Sequence, residues 1–399
     1  MDSAIPRPKY LKRIEPFIGK NLIKVFTGQR RVGKSYLLFQ IIEEIKKKDS
    51  EAKIIYINKE DLAFAHLRNA DDLNGYVLQN KSAEQKTYVF IDEIQDIENF
   101  EAALRSLLLD KNLDLYCTGS NANLLSSDIA GHLSGRYIEI PVYSLSYTEF
   151  LDFHQLEDSD DVLEKYLKLG GLPYLIHLPL EEAVVFEYLE NVYSTILFRD
   201  IINRFSVRNT VFLEQLILFL ASNTGSLFSA KKISDFLKSQ KIKMAPNQVQ
   251  TYIQHLTNAF LIHRVNRYDI VGKRLFEIGE KYYFENLGIR NALWGFRAED
   301  RGKILENAVY NHLLTENYKV QVGIIADSEI DFIAEKNGEK MYIQATLTLN
   351  EEKTIEREFG NLLKIKDNYP KLLITMDKFS GNTFEGVKLT DLRTFLMGN

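Results

Sequence analysis

Residues 28–35 read Gly-Gln-Arg-Arg-Val-Gly-Lys-Ser, two glycines separated by four residues and followed by a lysine and a hydroxyl. The spacing suits a triphosphate: glycines let successive main-chain N–H groups curl around phosphate oxygens, and a following helix adds the positive end of its dipole. Lys34 would hold the β- and γ-phosphates, and the Ser35 hydroxyl would ligate Mg2+. Gly28, Gln29, Arg30, Arg31, Val32, Gly33, Lys34, Ser35 and Tyr36 together form the expected cradle for ATP. Tyr88–Glu93 supplies a partner, four apolar or aromatic residues ending in two carboxylates. Asp92 would hold Mg2+ through its water shell, and Glu93 would polarise the attacking water as general base. A further apolar run, Leu113–Thr118, ends in Gly119-Ser120-Asn121. Ser120, with Asn121 in second place, is the expected sensor of the γ-phosphate; a polar turn at a strand end is the other reading. Arg136 could neutralise charge on the transferring phosphoryl group, in its own chain or a neighbour, or form a surface ion pair.

These groups need elements to aim them. The apolar run Leu22–Thr27 enters the glycine loop and an amphipathic helix, Tyr36–Lys48, leaves it. From Asn21 to about Pro141, short apolar runs (Lys53–Asn58, Thr87–Asp92, Leu113–Thr118, Tyr137–Ile140) alternate with helical stretches, the pattern of a mostly parallel sheet. P-loop ATPases with a separate catalytic glutamate insert the strand after the Asp-Glu strand between it and the loop strand, so Leu113–Thr118 is expected there. Helical periodicity fills Leu145–Phe205, broken at Gly170-Gly171-Leu172-Pro173. Three helices (Thr210–Ser222, Ser229–Ser239, Pro246–Asn258) and a strand-like Leu261–Arg267 follow, in the order of a winged helix-turn-helix. From Arg301 the pattern is helix, three strands, helix, strand, a second and smaller α/β segment.

Composition narrows the classes. Hydrophobic residues at 45% and charged residues at 26% of 399 exclude wholesale disorder or a coiled-coil rod. The single cysteine, Cys117, rules out an internal disulfide framework and a cysteine-rich zinc site, and favours a reducing compartment. The seven histidines include no pair at the helical metal-ligand spacing. No apolar run approaches the ~18–20 residues of a membrane helix. A cytoplasmic protein with no membrane partner is the expectation. The net charge of −5 excludes a globally basic coat protein, yet residues 231–274 carry nine Lys/Arg against two Asp.

Taken in order, TGQRRVGKS (27–35), VFIDEIQ (89–95), TGSNA (118–122), SGRY (134–137), PVYSLSYTEF (141–150), GGLPYL (170–175), FRDIINR (198–204) and EIDFIAE (329–335) resemble a prokaryotic family of AAA-type ATPases with a C-terminal domain of unknown function, the type numbered 4143. The resemblance implies an α/β multidomain chain: an AAA-like P-loop ATPase core (1–141), a helical lid (142–208), a winged helix (209–298) and a restriction-endonuclease-like domain (299–399). Glu306, Asp331 and Gln344 resemble the acidic metal-binding set of PD-(D/E)xK nucleases. In that set a lysine stands two residues after the glutamate or glutamine. Here the place is held by Thr346, which offers no positive charge, so a degenerate second metal site is expected unless Lys336 or Lys340 substitutes.

The leading expectation is therefore a Mg2+-dependent ATPase acting as a nucleotide-driven switch or motor. DNA or RNA would be reached through 231–274, with Lys241, Lys243, Arg264, Arg267, Lys273 and Arg274 on phosphates and Asn247, Gln248, Gln250 and Gln254 at base edges. An ATP-gated nuclease and an ATP switch for a protein partner are the competing readings. A homo-oligomer is compatible with each.

Overall fold

The computed structural model describes residues 5–125, 135–239, 242, 244–272, 279–325, 328–349, 352–377 and 383–398. Lys241, Lys243, Lys273, Arg274 and Ser134 of the motifs above lie outside the described residues. The chain forms two compact units, residues 1–142 with 258–260, and residues 143–257 with 261–399.

The first unit opens with α1 (Pro8–Ile14), then β1 (Ile23–Thr27), α2 (Lys34–Lys48), β2 (Lys53–Asn58), α3 (Ala70–Asn80), β3 (Thr87–Asp92), α4 (Phe100–Leu107), β4 (Leu113–Gly119) and β5 (Tyr137–Pro141). Its five strands are parallel, in the order β2-β3-β4-β1-β5. The strand after the Asp-Glu strand thus stands between it and the loop strand, as expected. Strands β1 and β4 are buried along their whole length, which is why they read as near-continuous apolar runs. The charged exceptions are Lys24 and Asp114, fully buried and paired across adjacent strands, with the Tyr116 hydroxyl donating to Asp114 Oδ2 at 2.8 Å. Burial lowers the Lys24 pKa, while Asp114 opposes that shift. Helix α2 buries Leu37, Leu38, Ile41, Ile42 and Ile45 and gathers Lys46, Lys47 and Lys48 at its C-terminal, negative dipole end.

The second unit begins with α5 (Tyr147–His154), started by a Ser146/Glu149 capping box, and α6 (Asp160–Leu169). Gly170-Gly171-Leu172-Pro173 breaks the run before α7 (Glu182–Thr195), which continues into a π-helix over Ile196–Asn203, overlapping the FRDIINR segment. The helices α8 (Thr210–Ser222), α9 (Ala230–Ser239) and α10 (Pro246–Asn258) precede β6 (Ile262–Asp269) and β7 (Glu280–Phe284), an antiparallel pair. Then come α11 (Leu287–Trp294), α12 (Arg301–Thr315), β8 (Lys319–Ile325), β9 (Ser328–Lys336), β10 (Glu339–Thr346), α13 (Glu352–Leu363), β11 (Lys371–Thr375), β12 (Thr383–Phe384), β13 (Val387–Asp391) and α14 (Leu392–Leu396).

One eight-stranded sheet, β12-β13-β11-β10-β9-β8-β6-β7, crosses residues 298/299. The link is short: β6 pairs in parallel with β8 through Arg267, Tyr268 and Asp269 against Val322, Gly323 and Ile324. A shared core reinforces it, with the rings of Tyr283 and Tyr310 stacked at 4.5 Å and Phe332 beside them. Among the described residues, no helix is long and apolar enough to cross a membrane.

Candidate active site

The loop between β1 and α2 carries its own backbone demands. Gly28 has φ +151°, and a Cβ there would stand 2.1 Å from the Val142 carbonyl oxygen; Gly33, at φ +94°, is the N-cap of α2. Both are conformations glycine adopts without a side-chain penalty. Having no side chain, Gly33 leaves the first amides of α2 directed at the loop, the geometry that favours an anion. The guanidinium of Arg7, itself buried, donates to the Val32 carbonyl at 3.0 Å and steadies the loop from outside.

Lys34 is buried, its ammonium 2.9 Å from both the Gly28 and the Gln29 carbonyl oxygens. The Ser35 hydroxyl lies beside the Asp92 carboxylate and favours its charged form, bringing the loop to the end of β3. Asp92 also accepts from the Thr118 hydroxyl at 2.5 Å and the Tyr56 hydroxyl at 3.2 Å. A hydroxyl and a carboxylate facing each other are the hard oxygen donors that suit Mg2+, so the residues present fit that ion.

Glu93 follows Asp92 at φ +57°, and its backbone N–H donates to Thr118 Oγ1 at 2.9 Å. Its carboxylate accepts from the Gln95 side-chain amide and from the Ser120 hydroxyl, the latter at 3.2 Å. Burial pushes Glu93 up, but Lys34, Arg30 and the hydrogen bonds from Gln95 and Ser120 outweigh it and hold the carboxyl below its ordinary value. Asp92 goes the other way: burial dominates the hydrogen bonds from Ser35 and Thr118 and raises it. Two adjacent carboxylates are thus pushed apart, an arrangement common at functional sites.

The structure brings Lys34, Ser35, Asp92, Glu93 and Ser120 together; Asn121 is buried beside them in sequence. Arg30 is buried with an ion pair to Glu60 at 3.1 Å, whereas Arg31 and Tyr36 are exposed. Arg136 is not in the group. It precedes β5, its carbonyl accepting from the Ile23 N–H at the start of β1, so it is about 13 Å along the strand from the loop end. Its side chain is exposed. Sequence reasoning missed Arg7, Tyr56, Gln95 and Thr118. Gln95 and Thr118 lie inside the quoted motifs, and the signal was available there: a polar residue closing an apolar strand, and an amide two places after the glutamate.

In the second unit, Glu306 on α12, Asp331 on β9 and Gln344 on β10 also meet, the Asp331 N–H donating to Gln344 Oε1 at 3.3 Å. Lys336 and Lys340 do not join them. They lie over aromatic rings, Lys336 at 5.1 Å from Tyr318 and Lys340 at 5.4 Å from Tyr268.

Comparison with known proteins agrees with this layout. A family model described as an AAA domain matches residues 20–151, and a model described as a domain of unknown function, DUF8612, matches residues 160–300. The second carries a different number from the type the motifs suggested. A protein of Haemophilus influenzae described as uncharacterized is 35% identical over 395 residues, 97% of each chain. Another, from Methanocaldococcus jannaschii, is 30% identical over 369 residues, covering 87% of this chain and 79% of its own. Among solved structures, a Walker-type ATPase of Pyrococcus abyssi superposes with a TM-score of 0.53 at 15% identity, over 73% of this chain and 96% of its own, a likeness of fold.

Proposed function

This chain belongs to the family of AAA-domain P-loop ATPases that carry the DUF8612 domain, and we propose that it binds ATP with Mg2+ at the Gly28–Tyr36 loop, hydrolyses it, and uses the nucleotide state to act on a nucleic acid. The observation that carries the reading is the meeting of Ser35 with the Asp92 carboxylate beside buried Lys34 and Glu93. Main-chain amides of the loop and the start of α2 receive the phosphates. The Lys34 ammonium exchanges its two loop carbonyls for phosphate oxygens. Ser35 and Asp92 would hold Mg2+, which supplies neutralisation of charge on the β- and γ-phosphate oxygens. Glu93, kept ionised, takes a proton from the attacking water while Gln95 and Ser120 fix its carboxylate; water adds to the γ-phosphorus and ADP leaves. Arg136, at the other end of its strand, serves a neighbouring copy rather than its own loop in this reading.

The nucleic-acid part is supported by the surface of α10. Asn247, Gln248, Gln250 and Gln254 are exposed, while Val249, Ile253 and Leu256 are buried on the opposite face. Three helices and the β6–β7 pair follow the order of a winged helix, and Lys231, Lys232, Lys238 and Arg264 are exposed around them.

The test is phosphate release by wild type and Glu93→Gln, with and without duplex DNA, single strands or RNA, over a range of salt. Wild type should hydrolyse ATP, a nucleic acid should raise the rate with a steep loss at higher salt, and Glu93→Gln should lower kcat by ~100-fold or more. Stimulation by none of the three polymers would favour the protein-partner reading.

A further inference from the structure

Strand β7 delivers a lysine to the place where the sequence motif has none. Lys281 is 2% exposed. Its Nζ lies 2.7 Å from Glu306 Oε1 on α12, 2.7 Å from Glu329 Oε1 and 3.2 Å from Asp331 Oδ1, the last two on β9. An ammonium has three N–H donors, and three carboxylates take one each. Neighbouring groups use further acceptor sites of the same side chains. The Tyr283 hydroxyl donates to Glu306 Oε1 at 2.6 Å, and the Ala345 N–H donates to Asp331 Oδ2 at 2.9 Å. Gln344, the third member of the motif, spends its carbonyl oxygen on the Asp331 N–H. Gly225 closes the Glu306 side: at φ +73°, a Cβ there would stand 3.1 Å from Glu306 Oε2.

A nuclease-like fold implies a divalent metal at these residues, and the residues present do not fit one. An ion bound to the Glu306 and Asp331 oxygens at ~2.0–2.6 Å would fall in the volume that Nζ fills, and two cations cannot share it. Among the described residues, no group of three or more His, Cys, Asp or Glu side chains is arranged to hold a metal.

We propose that the Lys281 ammonium is a built-in cation standing where a divalent ion would have to stand, so that the cluster is a clasp fastening β7 to α12 and β9, and not a phosphodiester-cleaving centre. The clasp adds a charged anchor to a join that also rests on the three residue pairs of β6 with β8 and on the shared aromatic core. Removing the ammonium would leave three carboxylates facing one another, whose side chains would have to close up to take a replacement cation.

The test uses the full chain carrying Asp92→Asn, which silences the N-terminal oxygen pair, titrated with Mn2+ in the absence of nucleotide and followed by calorimetry and thermal melting. The parent should show no Mn2+ binding that depends on Asp331. Lys281→Ala should melt lower, bind one Mn2+ per chain at a site the parent lacks, roughly tenfold or more tighter than any residual Mn2+ binding by the parent, and recover stability when Mn2+ is added. Asp331→Asn on that background should remove the new site. The proposal is overturned if the parent binds Mn2+ and Asp331→Asn abolishes it, or if folded Lys281→Ala binds no more Mn2+ than the parent. Should Lys281→Ala not fold, the parent and its Asp331→Asn variant decide alone. Scission of DNA or RNA in Mn2+ that Asp331→Asn abolishes would also overturn it.

Discussion

Thr118 Oγ1 donates to Asp92 Oδ1 at 2.5 Å, and the same oxygen accepts the Glu93 backbone N–H at 2.9 Å. One hydroxyl at the end of β4 therefore sets the carboxylate of one acidic residue and the backbone of the next. All three residues are buried, so no water replaces a lost partner cheaply.

Thr118→Val keeps the shape and removes the hydroxyl. It should cost about 1–3 kcal/mol of stability, seen as a lower Tm, and should reduce kcat more than it weakens ATP binding. Unchanged kcat would mean that the Glu93 backbone holds its place without Thr118.

The acidic pair should respond to pH with opposite signs. Glu93 is held below its ordinary value, so its charge contributes stability above the ordinary glutamate range, and that contribution is lost as pH falls through the folded value. Glu93→Gln should therefore melt below wild type at pH 7, with the gap closing in acid. Asp92 is raised by burial, so ionising it costs stability as pH climbs past the ordinary aspartate range. Asp92→Asn should melt above wild type at pH 7 and lose that gain in acid. Melting curves from pH 4 to 8 check both; two gaps of the same sign would contradict the geometry.

Cys117 lies on β4 between β1 and β3, 1% exposed, and burial pushes its thiol up to about 12. Alkylation by iodoacetamide at pH 8 should run on the order of a thousandfold slower than in denaturant. Rapid labelling of the native chain would mean that β4 is not an interior strand of its sheet.

Much of this was legible in sequence because buried parallel strands write themselves as apolar runs, and Thr87–Asp92 and Lys53–Asn58 begin and end where periodicity places them. The glycine loop was legible for a different reason: its backbone requires glycine at Gly28 and Gly33. Strand β7 was not. Its Glu280-Lys281 start reads as surface until α12 and β9 surround the lysine, and those partners lie 25 and 50 residues away. Helix α11 escaped as well, since it buries Arg290 and Asn291. The Arg290 guanidinium donates to the Ala221 carbonyl and the Asp300 carboxylate, contacts that no local pattern announces. Arg7 steadies Val32 across 25 residues for the same reason.

Nucleotide-driven action requires the loop around Lys34 to receive a triphosphate, and equilibrium binding of a fluorescent ATP analogue in Mg2+ tests this most directly. Wild type should bind, Glu93→Gln should bind about as well, and Lys34→Ala should lose affinity by ~100-fold, as expected for removing a buried charge-assisted contact. A wild-type chain that shows no affinity, or a Lys34→Ala chain that binds like wild type, would contradict it.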